Sequence, residues 1–86
     1  MKIKFYTDPG HGWGAVKRKV LDELGIAHKI TTCSYQKGST VYLEEDCDLS
    51  TLVAALTTKG VTVTYEEKHT EGRHPIRSYD RFMAQS

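Results

Sequence analysis

Positions 3–6, IKFY, alternate apolar and polar or amphipathic side chains, with Ile3 and Phe5 on one side and Lys4 and Tyr6 on the other. A period of two is that of a half-buried strand. Beyond the glycine-rich stretch DPGHGWG the period changes: Val16, Val20 and Leu24 recur every four residues, joined by Leu21, with Lys17, Arg18, Lys19, Asp22 and Glu23 between them. This spacing predicts an amphipathic helix over residues 14–24, closed by Gly25 as a left-handed cap. HKITTCSY and STVYLEE then read as two strands of a hairpin turning at Gln36, Lys37 and Gly38. Leu49, Leu52, Val53 and Leu56 stand at i, i+3, i+4 and i+7, which predicts a second helix over 49–59, capped by Asp48 and ended by Gly60. VTVTYEE supplies a fourth strand with Val61, Val63 and Tyr65 inward and Thr62, Thr64 and Glu66 outward.

The order βαββαβ predicts an α+β ferredoxin-like sandwich, a four-stranded antiparallel sheet with both helices on one face. Residues 1–68 form the expected domain. Residues 69–86 are a tail that packs on it or extends from it, with Ile76, Tyr79 and Phe82 as its large apolar and aromatic anchors. With 86 residues a single domain with a thin core is expected.

Charge changes this picture only locally. Twelve Lys and Arg against eleven Asp and Glu leave a net charge of +1, which gives no global argument for a nucleic-acid or membrane partner. The chain has no apolar run of membrane-spanning length and MKIKFYTD has no signal-like core, so the expected location is the cytoplasm. In a reducing compartment Cys33 and Cys47 are expected as unpaired thiols.

DPGHGWG, Asp8 to Gly14, carries the candidate chemistry. Structurally it is a turn, with Pro9–Gly10 as a type II pair that needs positive φ at Gly10, and Trp13 as a lid at least half buried. Functionally, a glycine loop between a strand and a helix N-terminus presents free N–H groups and a positive dipole end to an anion, with Arg73 or Arg77 completing the clamp. GHGWG matches neither the dinucleotide nor the P-loop fingerprint, and no cofactor is expected. His11 oriented by Asp8 is a candidate general base, but no partnered nucleophile accompanies it. A zinc site drawn from His11, Cys33, Cys47, His69 and His74 lacks metal-ligand spacing, and no metal is expected. Carboxylates beside Cys47 in EEDCD raise its pKa and argue against a reactive thiolate.

A second feature is the outward sheet face, where Tyr6, Cys33, Tyr35, Tyr42, Thr62 and Thr64 are expected together. Three tyrosines there suit base stacking, although KGSTVYL lacks the aromatic positions of an RNA-recognition strand and Glu44 and Glu66 would repel phosphates. The tail folding over these tyrosines, or a sheet-to-sheet homodimer, would bury them instead. A third feature is the contrast between the acidic run Glu44, Glu45, Asp46 and Asp48 and the tail arginines Arg73, Arg77 and Arg81.

KFYTDPGHGWGAVKRKVLDELGI, SYQKGSTVYLEEDCD and PIRSYDRF resemble small accessory proteins encoded by tailed bacteriophages and prophages, over most of the chain. The resemblance implies a phage gene product and brings no catalytic residue or ligand with it. Such accessory proteins commonly bind and inhibit a host or defence component, so the function expected is non-enzymatic binding of a host protein or an anionic, phosphorylated small molecule. The surface expected to do so comprises Asp8, Gly10, His11, Gly12, Trp13, Tyr35, Tyr42, Arg73 and Arg77. The alternative is a small nucleic-acid-binding module using the tyrosine face and tail arginines, and salt dependence separates the two. An enzyme is disfavoured because no nucleophile–base pair is recognisable.

Overall fold

The computed structural model describes residues 1–84. Its elements are β1 (Lys2–Thr7), β2 (Gly12–Lys17), α1 (Arg18–Glu23), β3 (Tyr35–Lys37), β4 (Thr40–Glu44), α2 (Leu49–Thr58), β5 (Thr64–His69) and β6 (Asp80–Arg81), with 3-10 turns at Ala27–Lys29 and Pro75–Ser78. The sheet runs β5-β1-β2-β4-β3-β6. Every neighbouring pair is antiparallel except β1 and β5, which are parallel.

This six-stranded mixed sheet replaces the expected four-stranded antiparallel ferredoxin-like one. The difference begins at GWGAVK, which is a strand and not the first turns of a helix. Gly12 and Gly14 each cost a helix interior roughly 1 kcal/mol relative to alanine. As a strand the same residues alternate, with Gly12, Gly14 and Val16 facing the core and Trp13, Ala15 and Lys17 the other side. Glycine is needed because a Cβ at Gly14 would lie 2.7 Å from Leu49 Cδ1, and one at Gly12 would lie 2.6 Å from Phe5 Cζ. The bare backbone at Gly14 lets α2 settle close to the sheet.

The hairpin β1–β2 leaves β4 running in the same sense as β1. The α2 crossover then returns β5 in that sense too, beside β1, which produces the parallel pair. HKITTCSY yields only a 3-10 turn and the last residue of the expected strand, Tyr35. Its hydroxyls are used locally: Cys33 N–H donates to Thr31 Oγ1 at 3.1 Å, and both Thr31 and Ser34 Oγ donate to Asp48. Asp48 therefore does not cap α2 with its side chain. It is buried and ties the 31–34 turn to the start of α2.

Both helices cover one face. Leu21 of α1 and Leu49, Leu52 and Leu56 of α2 pack with Ile3, Val16, Val41 and Leu43 of the sheet. Gly25 (φ 69°) and Gly60 (φ 77°) end the helices in the left-handed region, as the sequence predicts. Tyr65 is 49% exposed at the β5 edge and does not join the interior, in contrast to its expected inward role. The tail crosses the opposite face: Ile76 is fully buried there, and Tyr79 stacks at 5.3 Å on Tyr42. It then turns round the β3 edge, where β6 pairs with β3 and Phe82, 1% exposed, enters the helix-side core.

Candidate functional site

DPGHGWG turns β1 into β2, a hairpin connection and not a strand-to-helix loop, so no helix N-terminus stands behind its amides. Those amides already hold an anion, the carboxylate of Asp8. Gly10 and His11 N–H donate to Oδ1 at 3.0 Å each, and His74 N–H donates to Oδ2 at 3.0 Å. Arg77 adds a bidentate pair, Nε to Oδ2 at 2.7 Å and Nη2 to Oδ1 at 2.8 Å. The Arg77 guanidinium above all, opposed by burial and aided by the three amides, holds the Asp8 carboxyl well below the ordinary carboxylate range. In return Asp8 raises the pKa of Arg77.

Gly10 does not have positive φ, so the type II expectation is not met. The glycine serves space instead: a Cβ there would lie 2.8 Å from Arg77 Nη2. The His11 ring is not oriented by Asp8, whose oxygens are engaged by the N–H groups of Gly10, His11 and His74 and by Arg77. Its ring leans toward Trp13, with Nδ1 3.5 Å from Glu44 Oε1. Arg73 is exposed and lines a shallow depression with Pro9, Gly10 and Arg77.

Trp13, 1% exposed, meets the burial expectation. The Arg77 guanidinium lies over its ring at 5.5 Å, and Tyr35 and His74 contact it edge-on or tilted at 6.4 and 6.1 Å. Tyr6 packs on Tyr42 and His74, and the Tyr42 phenol is raised in pKa by burial, then by Tyr79 and Tyr6. His74 and Tyr79 of the tail pack against Tyr6 and Tyr42, which stay half-buried, whereas Phe82, expected as a further anchor of the tail, lies in the helix-side core.

At the end of the sheet, Trp13, Tyr35, His11 and Arg77 meet a second group that sequence reasoning left out of the site: Glu44, Asp46, Cys33, Cys47 and Arg81. Together they line a cavity of about 390 Å³. Glu44 shares the face of Tyr42 by strand alternation and pairs in register with Trp13, so its direction was readable from STVYLEE. Its Oε2 accepts from Asp46 and Cys47 N–H at 2.9 Å each, closing the turn before α2. Its Oε1 is buried and accepts no hydrogen bond, and Trp13 Nε1–H, equally buried, has no acceptor among the described residues. Buried polar atoms without a hydrogen bond are rare in folded proteins, and these two belong to residues that line the same cavity, Glu44 Oε1 having only the His11 ring nearby at 3.5 Å.

Cys33 and Cys47 are exposed free thiols on the cavity rim. Interaction with the Cys33 thiol first, then with Glu44, together with burial, pushes Cys47 up to about 12. At neutral pH it is a thiol and a poor nucleophile. Arg81 lies over the Tyr35 ring at 4.6 Å and donates to the Thr32 carbonyl. Of the remaining histidines, His69 Nδ1 is 2.8 Å from Thr7 Oγ1, and His74 Nδ1 accepts from Ile76 N–H. Among the described residues no three His, Cys, Asp or Glu side chains converge as a metal site. Among the described residues no helix is long and apolar enough to cross a membrane.

No protein family, curated protein or solved structure matches the chain.

Proposed function

We propose that this chain is a non-catalytic binding protein whose recognition site is the cavity walled by Trp13, Tyr35 and Glu44. The observation that carries this reading is that cavity together with two buried atoms of its lining residues, Trp13 Nε1 and Glu44 Oε1, that make no hydrogen bond among the described residues, Oε1 having only the His11 ring at 3.5 Å. Their chemistry selects the occupant. A cation would meet Glu44 and leave the indole N–H unpaired; an anion would meet the indole with Arg81 nearby and be opposed by Glu44 and Asp46, leaving Glu44 Oε1 without a donor. A neutral group that both donates and accepts, a carboxamide above all, serves both atoms once the side chains of the wall shift to uncover them. The aromatic walls of Trp13 and Tyr35 give its carbon framework an apolar seat.

This narrows the sequence expectation of an anionic ligand. The anion-directed feature of the loop, its amides with Arg77, is occupied by Asp8. The group that enters is an amide-bearing side chain of a host protein or a free small amide, in keeping with a phage accessory protein acting on a host component in the bacterial cytoplasm.

Native mass spectrometry of the protein recovered from bacterial cells distinguishes these sources. A retained species is expected with wild type and is lost with Trp13→Phe, which keeps an aromatic ring and removes the donor. Retention of the same species by the variant, at the same occupancy, would place the binding elsewhere.

A further inference from the structure

On the tail-side sheet face, beyond the edges of Tyr6 and Tyr42 that the tail leaves open, the surface is basic. Strand register arranges it in rows. Lys17 pairs with Thr40 and Thr40 with Lys37, while the β1–β2 register, Lys4 to Ala15, brings position 2 opposite position 17. One row across the sheet therefore reads Lys2, Lys17, Thr40, Lys37. In the next row Lys4 stands beside Ala15 and Tyr42, and in the third Tyr6 pairs with Lys68. A groove of about 340 Å³ runs here, with Lys2, Lys4 and Lys17 around Tyr6, Ala15 and Tyr42.

The charges are not balanced within the face. Glu66 is the carboxylate beside these lysines, and it is paired with Lys68 at 3.3 Å. Lys2, Lys4 and Lys17 form no ion pair among the described residues, and Lys37 rests over the Tyr79 ring at 4.7 Å. The other carboxylate on this face, Glu44, is buried at the far end and turned toward His11. Like charges directly opposite one another destabilise a strand pair, so a Lys2–Lys17 pair without a carboxylate is an arrangement that a bound anion relieves. Lys68, Lys2 and Lys4 also lower the pKa of Glu66, in keeping with a positive local potential.

We propose that this groove binds a single-stranded nucleic acid, its phosphates on the Lys2–Lys17–Lys37 row and a base seated on Ala15 against the Tyr6 and Tyr42 side chains that line the groove. Strands spaced about 4.8 Å apart make that row about 14 Å long, the reach of two or three backbone phosphates. Ala15 leaves the floor low enough for a flat ring, and Tyr6 and Tyr42, held edge to face on each other at 6.1 Å, offer it sequence-tolerant aromatic contact. The site is separate from the Trp13–Glu44 cavity and does not rest on the reading of that cavity.

The test is fluorescence anisotropy of a labelled oligothymidine with the full chain over a range of salt concentrations. Log affinity is expected to fall with log salt at a slope of about −2, from three neutralised phosphates at about 0.7 each. Lys2→Ala or Lys17→Ala is expected to weaken binding roughly three- to tenfold at low salt and to reduce the slope by about 0.7, whereas Lys59→Ala at the end of α2 leaves both unchanged. Tyr42→Phe keeps the ring and is expected to keep the affinity. No binding at low salt, equal binding by the Lys2 and Lys17 variants, or preference for inorganic polyphosphate or anionic lipid vesicles over the oligonucleotide would each overturn the proposal.

Discussion

Substituting Asp8 by alanine is expected to lower the Tm by roughly 10–20 °C, among the largest effects of any single change outside the core. Three backbone N–H groups and both donors of the Arg77 fork converge on this one carboxylate. Removing it leaves them unsatisfied together, with the Arg77 charge partly buried against Trp13. It also releases the hairpin turn from the tail, since His74 and Arg77 belong to the segment that crosses the sheet.

Asp8→Asn separates charge from shape, keeping an acceptor of similar size. The folded carboxyl ionises well below the unfolded one, so its contribution is complete above a pH of about 4 and is lost as pH falls toward the folded value. Thermal melts between pH 6 and pH 2 should show a steep acid loss in wild type that is shallower in Asp8→Asn. Equal slopes would mean that the Asp8–Arg77 pair does not couple to folding.

The second large effect is expected at Phe82. Phe82→Ala should cost about 3–5 kcal/mol in denaturant unfolding, as for other fully buried phenylalanines. Its ring lies in the helix-side core and under the Arg18 guanidinium, 5.0 Å from the ring centroid, while its N–H donates to the Ser34 carbonyl. Ile76→Ala, on the opposite face, should cost about 2–5 kcal/mol. The tail therefore anchors both faces of the sheet, and a chain ending at residue 69 is expected to lose cooperative unfolding. If that truncated chain melts like the full one, the tail is an appendage.

Much of this frame is legible in the sequence because the relevant signals are local. The Leu49, Leu52, Leu56 spacing, the glycine stops at 25 and 60, and the Gly38 turn before VYLE are each decided within a few residues. GWGAVK is illegible for a physical reason: glycine carries no hydrophobic sign, so the alternation of its strand vanishes and the i, i+4 spacing from Val16 onward extends falsely back into it. The β5 strand begins at Thr64, three residues later than the apolar run VTV suggests, because Val61 and Val63 pack against the core before pairing starts.

The site divides in the same way. Trp13 in the interior follows from one large ring among small residues. That Asp8 satisfies the loop amides and holds Arg77, 69 residues away, depends on the tail's path, which no local pattern encodes. Glu44 is hidden because an acidic run ordinarily reads as solvated surface, although its alternation with Tyr42 directs it to the Trp13 side.

The indole of the chain's only tryptophan offers the most direct measurement. A single Nε1–H cross-peak is expected in the proton–nitrogen correlation spectrum, and it reports on the cavity without assignment of the rest. Titration with propionamide, propionate and propylammonium compares neutral, anionic and cationic groups of similar size. The amide is expected to move this peak downfield in a saturable way, with much weaker responses to the two ions and none to the amide after Glu44→Ala. An indole peak unmoved by the amide, or moved most by the carboxylate, would contradict the assignment of the Trp13–Glu44 cavity as the binding site.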